Sequence, residues 1–358
     1  MKLEIYKRLT HGMSRLAEAR TRLFRQLVMR SLRMPWNQTV KILYAPKDSV
    51  NVQIKKVIIP SKIISFQSNY ALQGEFSHYF SPRAEIRLEN PLIDLSSGDV
   101  FTWNKEESRW LLVQETSEWP IEYRLQFARI PNSSIRYPKL GGSYVNGILS
   151  NSHYHRLTED VPTILTLGEE NPILVRPSDE RFLSNFSLQN FQQVRDKGFI
   201  QVEYLTFLSK GSDVGYLIPE YRDILRMTMQ SHLNKQRHRL LYLTRVNSRR
   251  ALPNESEILG LMKEMNFEII FPERFTLSEQ VALFSESKLV VAPHGGALTN
   301  LLFADSAIVI EIMPITRVNR CFEWQSGICG HNYTRILSDK FGLRTSSLRS
   351  LLSNWIMN

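Results

Sequence analysis

The sequence predicts an α/β protein composed of two units in which helices and strands alternate. The first unit follows Gly147, with a helix, a buried strand, a second helix and a second strand at residues 155–167, 172–175, 182–195 and 199–205. In the second unit, strands at 240–244, 268–271, 288–292 and 307–312 alternate with helices at 255–265, 277–285 and 297–303. Such alternation is typical of parallel sheets covered by helices. We therefore expect two doubly wound units that face each other across a cleft.

Length and composition describe a globular chain with room for two domains. The 358 residues are 42% hydrophobic and 22% charged, which excludes the disordered and fibrous classes. An excess of 45 Lys and Arg over 35 Asp and Glu gives a net charge of +10. This charge favours an acidic partner, such as a nucleotide, a nucleic acid or an anionic membrane. Cys321 and Cys329 lack companions at metal-ligand spacing, so we expect free thiols in a reducing compartment and no metal site.

Residues 1–34 are predicted to form a basic amphipathic helix that ends at Pro35, because leucines recur at helical spacing with arginines and lysines between them. Such a helix can lie on anionic lipid; it can equally cap its own domain or pair with another subunit. No apolar run reaches the roughly eighteen residues that span a bilayer, and the N-terminus lacks the apolar core of a signal peptide. We expect a cytoplasmic protein, free or held at the inner face of the plasma membrane through residues 1–34.

The pattern is less regular between these regions. Short β-rich stretches at 39–66 and 83–130 are broken by Pro, Gly, Asn and Ser, and they contain few motifs. Residues 211–219 are predicted to form a linker, and a helix follows from Glu220 to about residue 235.

A glycine turn follows the predicted strand at 288–292. Gly295 and Gly296 allow close approach of the backbone to a ligand, and the helix that begins at Ala297 offers free N–H groups and a partial positive charge. A diphosphate suits this place. His294 can donate a hydrogen bond to a phosphate or sugar oxygen, and Asn300 can fix the turn or bind the ligand. Alone, the turn is weak evidence, because strand-to-helix turns in many α/β proteins contain glycine.

Polar side chains also follow the neighbouring strands of the second unit. Arg245 and Arg249 come after the strand at 240–244 and can pair with diphosphate oxygens in forked geometry, although a solvated basic loop explains them as well. Asn254 and Glu255 close this loop. Glu311 ends the strand at 307–312, where it can accept two ribose hydroxyls, orient Arg245 or cap a turn.

A third cluster begins the first unit, at residues 151–160. In a helix that begins near His155, Glu159 lies one turn later on the same face, so the imidazole and the carboxylate can meet. A general base needs this arrangement, and Asp160 is a third candidate. The alternative is that these side chains only cap and charge the start of a helix.

Taken in order, these motifs resemble glycosyltransferase family 61. The resemblance spans roughly residues 151–333, and the beginning of the chain carries no such match. The matching positions are Tyr154, His155, Glu159 and Pro162 in the first unit, then 242–245, 249–250, 254–255, 271–273, 277–280, 294–300 and Glu311 in the second. Two positions depart from the family pattern: Arg156 replaces a frequent aromatic residue, and Gly296 a frequent alanine.

The resemblance implies the GT-B fold, in which two Rossmann-like domains face each other across a cleft, here with the N-terminal amphipathic helix added. It implies a nucleotide-sugar donor as co-substrate, inversion at the anomeric carbon and no metal or other cofactor. The acceptor would be a glycan or a lipid-linked saccharide in polysaccharide or capsule biosynthesis, and the enzyme a hexosyl- or pentosyltransferase. The expected segments are the helix at 1–36, an acceptor-side domain at 37–215, a nucleotide-sugar-binding domain at 216–340 and a C-terminal helix at 341–358.

The same resemblance assigns roles to the candidate residues. The residues expected around the donor are Arg245, Arg249, Asn254, Glu255, His294, Gly295, Gly296, Ala297, Asn300 and Glu311, with Glu311 at the nucleoside. Glu159, His155 or Asp160 would take the acceptor proton. Two other functions stay open: a hydrolase that uses His155 and Glu159, and a non-catalytic basic protein that binds nucleotides or nucleic acid. The sequence has no nucleic-acid-binding signature, so we expect no nucleic-acid partner.

Overall fold

The structure is a computed structural model of mixed α/β type. It describes residues 52–59, 62–67, 75–80, 83–104, 108–113, 129, 131–209, 215–234, 236–316 and 318–356. The helix predicted for residues 1–34 lies outside the described residues. Within them the chain forms a nine-stranded sheet, a five-stranded sheet, a two-stranded sheet and eight helices. No helix in these ranges is both long and apolar enough to cross a membrane.

The first part of the chain forms the nine-stranded sheet and the separate strand pair. The strands are β1 Val52–Ile59, β2 Lys62–Gln67, β3 Glu75–Phe80, β4 Arg83–Glu89, β5 Leu92–Asp94, β6 Val100–Asn104, β7 Arg109–Leu112, β8 Lys139–Asn146, β9 Ile173–Val175, β10 Phe191–Gln193 and β11 Phe199–Leu208. The main path of the large sheet runs β10-β9-β8-β11-β5-β6-β7, with β4 joining β11 to β1, while β2 pairs with β3. The expected parallel pairing is present among β8, β9, β10 and β11. The sheet as a whole is mixed, since β11 pairs antiparallel with β4 and β5.

Helices of the first part differ from the prediction in one place. They are α1 His153–His155, α2 Val161–Leu167 and α3 Pro177–Leu183. The helix predicted for residues 182–195 is wrong. The chain leaves α3 through a 3₁₀ turn, adopts a left-handed conformation at Ser187 (φ 61°) and then forms β10. Glu169 accepts hydrogen bonds from the backbone N–H groups of Gln189 and Asn190, and pairing of β10 with β9 overrides the local apolar pattern.

The second part forms the five-stranded sheet. Its elements are β12 Arg239–Leu243, β13 Glu268–Ile270, β14 Ser287–Pro293, β15 Ile308–Pro314 and β16 Asn332–Ser338, with α4 Pro219–Thr228, α5 Glu255–Glu264, α6 Leu277–Ser285, α7 Cys321–Cys329 and α8 Thr345–Ile356. All neighbouring strands are parallel, in the order β13-β12-β14-β15-β16. The direction of winding changes between β12 and β14, and the ligand crevice of such sheets lies at this point.

The predicted alternation of the second unit is confirmed, with adjusted ends. The helix expected up to residue 235 ends at Thr228, and the segment expected as a helix at 297–303 is the 3₁₀ helix Gly296–Phe303. The sequence did not predict α7 or β16, which complete the sheet and its cover.

One hydrophobic core joins the two parts. A single cluster of buried side chains includes Val145 and Leu149 from the first part and Leu241 and Val290 from the second. Trp324 lies inside it, fully buried, and its indole N–H donates to the Leu217 carbonyl oxygen at 2.8 Å. The two sheets are therefore held in a fixed relation by apolar packing.

Substitution of alanine at two glycines of this fold should change the free energy of unfolding in opposite directions. At Gly147, after β8, an added Cβ would lie 2.3 Å from Ile173 Cγ2 and 2.9 Å from the Leu174 carbonyl oxygen, so Gly147→Ala should destabilise the protein by about 1–3 kcal/mol. At Gly260, on the exposed side of α5, nothing lies within 4 Å, so Gly260→Ala should stabilise it by roughly 0.5–1 kcal/mol. Urea unfolding of both variants measures this, and equal shifts would contradict the packing described for β8 and β9.

Candidate functional site

The loop after β12 is held by a buried carboxylate. Glu255, at the start of α5, accepts hydrogen bonds from the Arg245 backbone N–H and the Thr244 hydroxyl, both at 2.6 Å. Asn254 binds the other side of the helix start, where its side chain donates to the Leu343 carbonyl oxygen at 2.8 Å. Asn254 and Glu255 thus shape the loop, while Arg249 is exposed at its surface.

Arg245 spans the crevice between β12 and β14. Its guanidinium donates to the His294 carbonyl oxygen and, at 3.1 Å, to the Ser248 hydroxyl. A Cβ on Gly295 would lie 2.5 Å from Arg245 Nη1, so the glycine leaves space for the guanidinium. Gly295 has φ 177°, so its backbone conformation does not require glycine. Burial and the nearby Arg250 lower the pKa of Arg245, but an arginine keeps its charge.

His294 is oriented by a second buried carboxylate. Its Nδ1 lies 2.6 Å from Glu311 Oε1, and because a carboxylate only accepts, this nitrogen carries a proton. The other oxygen of Glu311 accepts from the Tyr333 hydroxyl, whose pKa burial raises far above its usual range. Arg335 Nε in turn donates to the Tyr333 oxygen at 3.3 Å. Glu311 is fully buried, and both of its oxygens are engaged by the protein.

A buried amide connects the glycine turn to the first part of the chain. Asn300 Nδ2 donates to Gln280 Oε1 at 2.6 Å, and Gln280 Nε2 donates to the carbonyl oxygens of Pro272 and Phe275. Asn300 Oδ1 is thereby directed towards His153, whose Nε2 lies 3.4 Å away. Burial lowers the pKa of His153, so the neutral ring donates here from Nε2.

The first-part candidates lie on a widened helical turn. Between α1 and α2, residues Arg156–Asp160 form a π turn, and the Val161 N–H donates to the Arg156 carbonyl oxygen five residues back. The next residue, Pro162, has no backbone N–H and cannot donate to the carbonyl oxygen four residues before it. The π turn, with its five-residue hydrogen bond, stands directly before this proline. Such turns occur frequently at functional sites.

The predicted meeting of His155 and Glu159 is present in the structure. His155 Nδ1 lies 2.9 Å from Glu159 Oε1, and both side chains are largely buried. The Gly215 backbone N–H also donates to this oxygen at 3.3 Å. Asp160 instead accepts from the Ser150 N–H at 2.7 Å and shapes the turn before α1. Arg156 packs over the Phe182 ring, with 5.3 Å between the guanidinium carbon and the ring centroid.

Phe322 brings the two groups of candidates together. From the start of α7, its ring contacts Tyr154 (5.5 Å between centroids) and His294 (5.4 Å). His153 also packs on the glycine turn, since a Cβ on Gly296 would lie 3.7 Å from the His153 Cβ. Ala297 continues this turn and is partly exposed. The rings of Tyr154 and Phe322 therefore connect His155 to His294, with 5.4 Å between the centroids of Tyr154 and His155.

Sequence reasoning missed two contributors to this site. Tyr333 lies on β16 and Phe322 on α7, the two elements that were not predicted. Both cysteines are free, and no group of three or more His, Cys, Asp or Glu side chains is arranged to hold a metal ion in the part of the chain that the structure describes.

Fold and site define an α/β protein with a cationic crevice at a switch point and a histidine–carboxylate pair that two aromatic rings connect to it. Such a crevice suits an anionic ligand, and the pair suits proton transfer. The chain matches the family Glycosyltransferase 61 over residues 127–310, more than half of its length. A comparison with curated proteins gave no match. The chain belongs to glycosyltransferase family 61, and it acts on a sugar donor and an acceptor. Among the three functions left open by the sequence, this match selects the glycosyltransferase.

Removing the Tyr333 hydroxyl should show how far the stability of the protein depends on the hydrogen bond to the buried Glu311 carboxylate. Tyr333→Phe leaves one oxygen of Glu311 buried without this donor, which should lower the free energy of unfolding by about 1–3 kcal/mol. Tyr204→Phe is the matched control because Tyr204 presents its ring to Arg87, 4.0 Å from the guanidinium carbon, and should change stability by less than about 0.5 kcal/mol. Equal urea midpoints for both variants would mean that Glu311 does not need the hydroxyl.

Proposed function

We propose that the protein transfers a sugar from a nucleotide-sugar donor to a glycan or lipid-linked acceptor, with inversion and without a metal ion. The observation that carries this proposal is the juxtaposition of two groups. The crevice of Arg245 and His294 lies on the second part, and the pair His155 and Glu159 lies on the first, connected to His294 through the rings of Tyr154 and Phe322. Direct displacement requires a leaving-group site and a base on opposite sides of one sugar ring.

The crevice is proposed as the site of the donor diphosphate. The Arg245 guanidinium bonds to the His294 carbonyl oxygen, two residues before the 3₁₀ helix whose first N–H groups are those of Gly296 and Ala297, and Arg249 adds exposed charge. His294 would face the ligand with its ring oriented by Glu311 through Nδ1. Glu311 is thus assigned to orienting His294, not to the ribose. Arg245 and Arg249 would stabilise the departing diphosphate, so that no divalent ion is needed.

The acceptor proton is assigned to His155. Because Glu159 accepts from Nδ1–H, the neutral ring has its lone pair on Nε2. In the proposed step, Nε2 takes the hydroxyl proton while the acceptor oxygen bonds to the anomeric carbon. The bond from that carbon to the diphosphate oxygen breaks, and its electron pair leaves with the nucleotide. One displacement inverts the configuration, with Glu159 positioning the base and Asp160 supporting the preceding turn.

The proposal also covers the wider architecture. We assign the GT-B arrangement, with an acceptor-side domain at 37–215, a nucleotide-sugar-binding domain at 216–340, the C-terminal helix at 341–358 and the basic helix at 1–36. The parallel sheet with its switch point supports the second of these. A hexosyl or pentosyl donor and a role in polysaccharide or capsule biosynthesis at the cytoplasmic side of a membrane complete the proposal.

A thermal-shift screen against nucleotide sugars tests the donor site. The best ligand should raise the melting temperature of the wild-type protein by mass action, and Arg245→Ala should abolish the shift. Arg349→Ala is the charge-matched control, because Arg349 pairs with Glu264 on the surface, away from the crevice. Loss of the shift in both variants, or in neither, would argue against the assignment of Arg245.

Substitution of the first-part pair tests the base. His155→Gln and Glu159→Gln should keep donor affinity but reduce kcat by roughly 10²–10⁴-fold, since the first removes the base and the second its orientation. Glu180→Gln, which changes a carboxylate on α3 bonded to Gln193, should transfer sugar at the normal rate. Normal kcat in His155→Gln would overturn the assignment of the base, and turnover without any acceptor would identify a hydrolase.

A further inference from the structure

Exposed apolar side chains concentrate at one edge of the five-stranded sheet. Among the described residues, eight large apolar side chains are exposed, and five of them follow or end strands of this sheet at its carboxyl side. We call these five the apolar rim: Val246, Ile315, Val318, Leu337 and Phe341. We propose that the apolar rim docks this protein onto an anionic membrane surface.

Hydrogen bonds connect the loops that carry Ile315, Leu337, Phe341 and Val246, and Val318 follows Ile315 in the loop after β15. Ile315 follows β15, and its N–H donates to the Ser338 carbonyl oxygen at 2.9 Å, next to Leu337 on β16. Phe341 lies in the turn after β16, where the N–H of Asp339 donates to the Gly342 carbonyl oxygen at 3.0 Å. Asn254 ties this turn to the start of α5 and so to the loop that carries Val246.

Basic side chains surround the apolar rim. Arg249, Arg250, Lys340 and Arg344 are all exposed in the same loops, and Lys340 Nζ lies 4.9 Å from the centroid of the Phe341 ring. The exposed acids on these loops are Asp339 and Glu257, so the cations outnumber them. Protruding apolar side chains encircled by cations match the interface of an anionic bilayer, where the apolar groups enter the acyl boundary and the cations meet phosphates.

Charge and chemistry favour lipid over two other occupants. The basic segment of residues 1–34 would be repelled by a basic surface, so it is a poor cover for the apolar rim. Nucleic acid would satisfy the cations, but the aliphatic side chains of Val246, Ile315 and Leu337 gain nothing from a phosphate backbone. An anionic bilayer satisfies both sets, because its acyl chains accept the apolar side chains and its phosphates pair with the cations.

The apolar rim lies on the same sheet edge as Arg245 and His294. Docking through it would therefore place the candidate site beside the membrane surface, where a lipid-linked acceptor presents its saccharide. This consequence rests on the proposed function, whereas the docking itself does not. Vesicle binding and sugar transfer can accordingly fail independently of each other.

Co-sedimentation of the full chain with vesicles tests the proposal. We compare phosphatidylcholine vesicles with vesicles that also contain phosphatidylglycerol, and expect binding to the anionic ones only. Phe341→Ser with Val318→Ser should weaken that binding at least about tenfold. Lys340→Gln with Arg344→Gln should weaken it by about fivefold per charge removed. Ile135→Ser with Met227→Ser is the matched control, because those side chains are 53% and 64% exposed, against 73% for Phe341 and 54% for Val318, and lie elsewhere.

Several outcomes would overturn the proposal. The apolar rim is not the docking surface if its serine variant, folded with the wild-type melting temperature, binds anionic vesicles as tightly as the control variant, as it would if residues 1–34 carried all binding. Equal affinity for both vesicle types contradicts the charge argument, and so does the absence of binding to either type. Loss of nucleotide-sugar affinity in the Phe341 variant with vesicle binding intact would assign this surface to the donor site instead.

Discussion

The shared hydrophobic core is the constraint on which the candidate site depends. The proposed base and the cations of the site belong to different parts of the chain, and the position of one part relative to the other is set by buried side chains such as Trp324. Phe322 extends this packing to the site itself, because its ring contacts both Tyr154 and His294. A displacement reaction needs its reacting groups in a fixed geometry, and in the proposed mechanism this shared apolar core holds them there.

Two buried carboxylates orient the histidine rings of the candidate site. Glu159 and Glu311 each fix the Nδ1 of one histidine, and a buried carboxylate is tolerated only where such hydrogen bonds offset its lost hydration. Each carboxylate therefore stabilises one ring orientation and one proton position. The same arrangement serves two proposed purposes: it orients a base in His155 and a donor-side ring in His294. The positive charge of Arg245 continues into the basic surroundings of the apolar rim.

Local patterns predicted most of the second unit but not α7 or β16, and tertiary contacts explain part of what they missed. The strands β12, β14 and β15 are continuous apolar runs ended by glycine or polar residues, so Arg245, His294 and Glu311 could be placed at one sheet edge from the sequence. The i, i+4 spacing of His155 and Glu159 predicted their contact. Strand β10 was mistaken for a helix because its pairing with β9 decides its conformation. Tyr333 acts through Glu311, a partner 22 residues away in the sequence, which no local pattern reveals.

The position of a bound nucleoside diphosphate tests the central claim most directly. A crystal structure of the full chain with the nucleoside diphosphate selected by thermal shift should show the diphosphate within hydrogen-bond distance of the Arg245 guanidinium and the N–H groups of Gly296 and Ala297. The anomeric side of the leaving oxygen should face His155. A diphosphate bound elsewhere, or one whose leaving oxygen points away from the first part of the chain, would contradict the account.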